Sequence, residues 1–110
     1  MQLPPFQNRI LDFVNQHDLE ISVRDRMLDL TSEIGELAKE VIKASDYGRQ
    51  DFQPNNAWND ELGDVFFALI CLANSTNTNL LEVLTKVLEK YQERIERNGQ
   101  AGSKNNKENG

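Results

Sequence analysis

Glu61-Leu62-Gly63-Asp64-Val65-Phe66-Phe67-Ala68-Leu69-Ile70-Cys71-Leu72-Ala73 is the stretch on which the fold turns. Its last nine residues, Val65 to Ala73, are the longest apolar run in the chain, far short of the ~20 that a bilayer-spanning helix needs. The stretch reads as part of a helix from about Asn56 or Ala57 to Asn74, apolar all round beyond its acidic start. Such a helix is normally covered on every side. A bundle this small cannot surround one of its own members. One face is therefore expected to be buried by another copy of the chain.

Three further helices can be read outward from it. Pro4-Pro5 suits a helix start, and Ile10, Phe13 and Val14 supply a short stripe ending near His17-Asp18. Ser22 followed by Asp25 resembles a capping box, and Met27, Leu30, Ile34, Leu37 and Val41 then recur at helical spacing. Gly48, Pro54 and the Asn pair before Ala57 mark a loop. The polar turn Ser75–Asn79 leads into a last helix from Leu80 to about Arg97, striped by Leu84, Val87, Tyr91 and Ile95. The expected fold is all-α, a four-helix bundle over residues 1–97 with a disordered polar tail over 98–110.

Composition narrows the function. The chain has 110 residues, with 18 acids against 12 bases and a net charge of −6. That balance argues against nucleic acid or an anionic membrane as partner, since both call for basic surface. One cysteine excludes an internal disulfide, and with one histidine a Cys/His zinc site is implausible. The opening Met1-Gln2-Leu3-Pro4-Pro5 lacks the basic and apolar regions of a secretory signal, so a cytoplasmic location is expected.

The charge is also unevenly placed. Glu33-Ile34-Gly35-Glu36 on the second helix and Glu61-Leu62-Gly63-Asp64 on the third are acidic pairs at i,i+3, each on one side of its helix. On the second helix Asp29, Glu33, Glu36 and Glu40 run beside the apolar stripe; on the third, the direction of Glu61 and Asp64 continues through Ala68, Cys71 and Leu72. A single pair of this kind is ordinarily a solvated helix charge. Two pairs bordering the core, 24 residues apart, point instead to carboxylates that converge and need cations to stay ionised. Oxygen-only ligands suit Mg²⁺, with Mn²⁺ as a substitute. Di-iron chemistry would need Glu-x-x-His pairs, and His17 belongs to none. On the fourth helix Lys90 and Arg94 flank the apolar stripe, where phosphate oxygens could meet them, while Lys86 and Arg97 read as partners in surface ion pairs.

The strings Glu33-Ile34-Gly35-Glu36-Leu37-Ala38-Lys39-Glu40 and Glu61-Leu62-Gly63-Asp64-Val65 resemble the signature of the MazG-like all-α nucleoside triphosphate pyrophosphohydrolases. The resemblance covers roughly residues 6–97. It implies that Glu33, Glu36, Glu61 and Asp64 hold Mg²⁺ and that a nucleoside triphosphate is cut to a monophosphate and pyrophosphate. It also implies that Glu33 or Glu36 serves as base, that Lys90 and Arg94 meet phosphate, and that the chain forms dimers or tetramers. Ser32 stands where many members carry a further Glu, and Leu88 where an Asn is frequent. Trp58, Phe13 and His17 are the aromatic candidates for stacking on a base. The competing expectation is a non-catalytic helical dimerisation module with a vestigial or regulatory ion.

Overall fold

The computed structural model describes residues 2–99, and within them only helices form: α1 (Pro5–Gln16), α2 (Val23–Ala44), α3 (Asn56–Ser75) and α4 (Leu80–Asn98). Each start has a local cause. Pro5 fills the first position of α1. The side chains of Ser22, Asn55 and Asn79 accept the backbone N–H groups of Asp25, Trp58 and Glu82 at 3.1, 2.9 and 3.0 Å. Such caps satisfy donors that a helix leaves orphaned. The last helix ends in Gly99, whose φ of 82° is the left-handed conformation glycine adopts without strain. Most of the proposed polar tail, 100–110, lies outside the described residues; Asn98 belongs to α4.

The helices α2 and α3 form the central pair, and α1 packs on α3. Advancing along α2 from Arg26 to Glu36 means retreating along α3 from Cys71 to Glu61, so the pair is antiparallel. Across the other side of α3, Phe6 stacks on Phe66 at 6.2 Å and Phe13 meets Phe67 edge-on at 6.3 Å. Val14, Leu30, Ala68, Ile70, Cys71 and Ala73 are the buried apolar residues. Four of the six come from α3, as expected of the most apolar helix.

One expectation needs correcting. The four helices form, but they do not close into a bundle within one chain. No residue of α4 is buried, and Leu84, Leu88, Tyr91 and Ile95 leave its apolar stripe open to solvent. The radius of gyration is 17.7 Å, against about 13 Å for a compact chain of this length. The physical reason lies in the turn Thr76–Asn79, which is held by α1 rather than by packing of α4 on α2 or α3. Gln7, fully buried, donates from Nε2 to Asn74 Oδ1 at 3.0 Å and to the Thr78 carbonyl at 2.8 Å, and its Oε1 accepts the Leu80 N–H at 2.7 Å. Asn74 returns a bond to the Gln7 carbonyl at 3.0 Å. This amide fixes the start of α4 and lets its body project.

Gln7→Ala removes three hydrogen bonds made by a fully buried side chain and should destabilise the chain by about 2–4 kcal/mol. Urea unfolding checks it, with the exposed neighbour Asn8→Ala as the control expected to change little.

Candidate metal centre

Glu33 of α2 and Glu61 and Asp64 of α3 each offer a carboxylate oxygen, and the three oxygens lie within 4.8 Å of one another. The antiparallel packing does this: one turn of α3 carries both Glu61 and Asp64, and the middle of α2 presents Glu33 across from them. Glu33 and Glu61 are half-buried and Asp64 is exposed. Burial, and then the charges of Asp29, Asp64, Glu61 and Glu36, hold the Glu33 carboxyl above the ordinary carboxylate range. Glu61 is raised for the same reasons, with Asp64, Glu36, Glu40 and Asp60 as its charged neighbours. No base contributes to either shift.

A divalent cation fits this donor set. Oxygens bound to one Mg²⁺ at about 2.1 Å are at most about 4.2 Å apart, so the trio would have to draw together to share one ion. The carboxylates are hard oxygen donors, and neither the single histidine nor the single cysteine is among them. The raised acids are what an ion would relieve.

Of the four acids read from the sequence, the structure brings these three together and leaves Glu36 just outside. Glu36 lies close enough to raise both Glu33 and Glu61, but its Oε2 pairs with Lys39 Nζ at 3.6 Å. Glu40 is buried and paired with Lys43 at 3.3 Å. The bases of α4 are not brought to the acids within the chain. Lys90 and Arg94 lie over the Tyr91 ring, at 5.3 and 5.9 Å from its centre. Arg97 pairs with Glu93 at 3.2 Å, the surface pair expected of it.

The aromatic candidates separate into two places. Phe13 and His17 are in contact at 4.6 Å at the end of α1. Phe13 also lines a groove between α1 and α3 with Phe6, Gly63, Phe66 and Phe67, a space of about 920 Å³ beside the acidic turn. Trp58 packs edge-on against Phe52 at 4.9 Å, three residues before Glu61. Phe6, Phe66 and Phe67 were not singled out from the sequence; their spacing reads as ordinary core, and only the α1–α3 crossing turns them into a groove wall. The glycines between the acids, Gly35 and Gly63, have open space where a Cβ would stand, so packing within one chain does not require them.

With this geometry in place, comparison with known proteins is informative. The MazG nucleotide pyrophosphohydrolase domain matches residues 22–98, from the cap of α2 to the end of α4. The chain belongs to the MazG nucleotide pyrophosphohydrolase family. Among curated proteins it is 38% identical over 69 residues to YpjD of Bacillus subtilis (strain 168), described as uncharacterised. That match spans 62% of this chain and 62% of YpjD. Among solved structures it resembles YpjD of Bacillus subtilis, a pyrophosphatase candidate, with a TM-score of 0.67. A Bacillus-conserved MazG protein, named a nucleotide pyrophosphohydrolase, follows at 0.66. Both are 33% identical and cover 83% of this chain and 93% of their own. The matched MazG segment contains every helix of the acidic site, α2 and α3, and the unpartnered α4.

The raised acids give a signed pH dependence. The folded chain holds the protons of Glu33 and Glu61 more tightly than the unfolded chain, whose value is near 4.5. Their ionisation therefore costs stability in full above the raised values, and the cost fades as pH falls towards 4.5. In EDTA, the Glu33→Gln/Glu61→Gln variant should melt above wild type at pH 8, with the gap closing as the pH is lowered. Equal melting curves at all pH values would show that the acids do not repel.

Proposed function

We propose that this MazG-family chain is a Mg²⁺-dependent pyrophosphohydrolase. It would convert a nucleoside or deoxynucleoside triphosphate to the monophosphate and pyrophosphate, clearing unwanted nucleotides in the cytoplasm. The observation that carries the reading is the convergence of Glu33, Glu61 and Asp64 within 4.8 Å on facing helices. Family membership over 22–98 supplies the reaction class. Among the described residues no helix is long and apolar enough to cross a membrane, which agrees with a water-borne substrate.

Each residue has a part. Glu33, Glu61 and Asp64 would hold the cation, which when bound would offset phosphate charge and make a bound water more acidic. Glu36, beside the trio but outside it, accepts the proton of the attacking water. The water oxygen bonds to the α-phosphorus, and the bond to the bridging oxygen breaks, leaving its electron pair on pyrophosphate. The groove holding Phe13, beside Gly63, offers aromatic faces for a base, with His17 at its end; Trp58 is the alternative stacking partner. Lys90 and Arg94 neutralise phosphate from a second copy of the chain. Two apolar faces support that second copy. Leu62, Phe66 and Leu69 expose the outer side of α3, and Leu84, Leu88 and Tyr91 that of α4.

The direct test incubates the purified chain with NTPs and dNTPs in Mg²⁺ or Mn²⁺ and assays both products. Equimolar monophosphate and pyrophosphate are expected from at least one substrate. No release, together with no metal-dependent rise in melting temperature, would leave the chain a helical interaction module. Two substitutions separate the roles. Asp64→Asn should abolish the metal-dependent rise along with turnover, whereas Glu36→Gln should keep the rise and lose about 10²–10⁴-fold in kcat. If Glu36→Gln also loses the rise, Glu36 is a ligand rather than the base.

A further inference from the structure

About 10 Å along α2 from Glu33, by the helical rise of seven residues, the guanidinium of Arg26 is buried in the wall of a second cavity. Arg26 is only 6% exposed, yet no carboxylate in the described residues forms an ion pair with it. Among the described residues its one hydrogen-bond partner is the Leu19 carbonyl, which accepts from Nη2. A guanidinium carries five N–H donors. None of its atoms is both sealed from solvent and unbonded, so the unused donors remain within reach of solvent or of a small ligand, and Arg26 lines a cavity. The space measures about 370 Å³, between the end of α1, the first turn of α2 and the end of α3.

The rest of the wall has two characters. One side is the N-terminus of α2. Ser22 and Val23 line the cavity, and the backbone N–H groups of Val23 and Arg24 have no acceptor among the described residues. A helix start of this kind favours negative charge. The other side is apolar, with Leu11, Val14 and Ile21. A buried cation without a counter-ion is costly, and a bound anion would offset that cost. The single acid on the wall, Glu20, is exposed at the edge and forms no ion pair with Arg26.

We propose that this cavity binds a small organic anion, a phosphate ester or carboxylate. Its head meets the Arg26 guanidinium and the first turn of α2, and its apolar body rests on Leu11, Val14 and Ile21. The site is separate from the acidic trio, which would repel the same ligand. Without metal, therefore, anion binding reports on this cavity.

The experiment titrates the full chain in EDTA with phenyl phosphate, benzoate and inorganic phosphate, followed by calorimetry and by backbone amide NMR. The first two probes should bind saturably and shift the amides of Ser22, Val23 and Asn74, with inorganic phosphate weaker for want of an apolar body. Whichever of phenyl phosphate and benzoate binds more tightly names the head group. Arg26→Gln should weaken binding about tenfold or more. Should that variant fail to fold, two exposed wall positions carry the test: Glu20→Gln should tighten binding and Asn15→Asp weaken it. Absence of saturable binding by wild type up to about 10 mM, or an affinity indifferent to all three substitutions, would overturn the proposal.

Discussion

Like charges brought within one ion's reach are the constraint around which this chain is organised. Glu33, Glu61 and Asp64 crowd together because α2 and α3 pack antiparallel along their length, and that packing rests on small and branched residues such as Ala68, Cys71 and Leu30. The core therefore does work against the acids. Few apolar side chains are buried among the described residues, so little apolar burial opposes the repulsion. A cation would reverse the sign of the interaction and make the α2–α3 contact self-consistent. Stability and metal occupancy would then be coupled.

The second feature is incompleteness. A lone chain exposes apolar stripes on α3 and α4, and it holds Lys90 and Arg94 away from the acids they would complement. In the proposed assembly both faults would have one remedy, a second copy whose α4 would cover the first and deliver its bases. The Gln7 hydrogen bonds matter here because they set the direction in which α4 leaves the turn. A polar contact at one end thus decides what a 19-residue helix can reach.

Much of this was legible in the sequence. The prolines before α1, the cap at Ser22, the turn residues before α3 and α4 and the spacing of apolar residues placed all four helices, because those signals are local. The acids were readable because i,i+3 spacing fixes a face, and MazG membership over 22–98 agrees with that motif. What local signals could not convey was the relation between elements. The amphipathic stripe of α4 looks the same whether its partner is in the same chain or another. Glu33 and Glu36 share one side of α2, and only the offset between α2 and α3 separates Glu33, which joins the trio, from Glu36 beside it. Arg26 reads as an ordinary helix charge until the ends of α1 and α3 close over it.

The account stands on where the ion goes. Crystals of the chain grown with Mn²⁺ and measured at a wavelength where manganese scatters anomalously would locate it without assumptions about activity. The expected result is a peak within bonding distance of carboxylate oxygens from Glu33, Glu61 and Asp64. No peak at saturating Mn²⁺, or one bound by other residues, would contradict it.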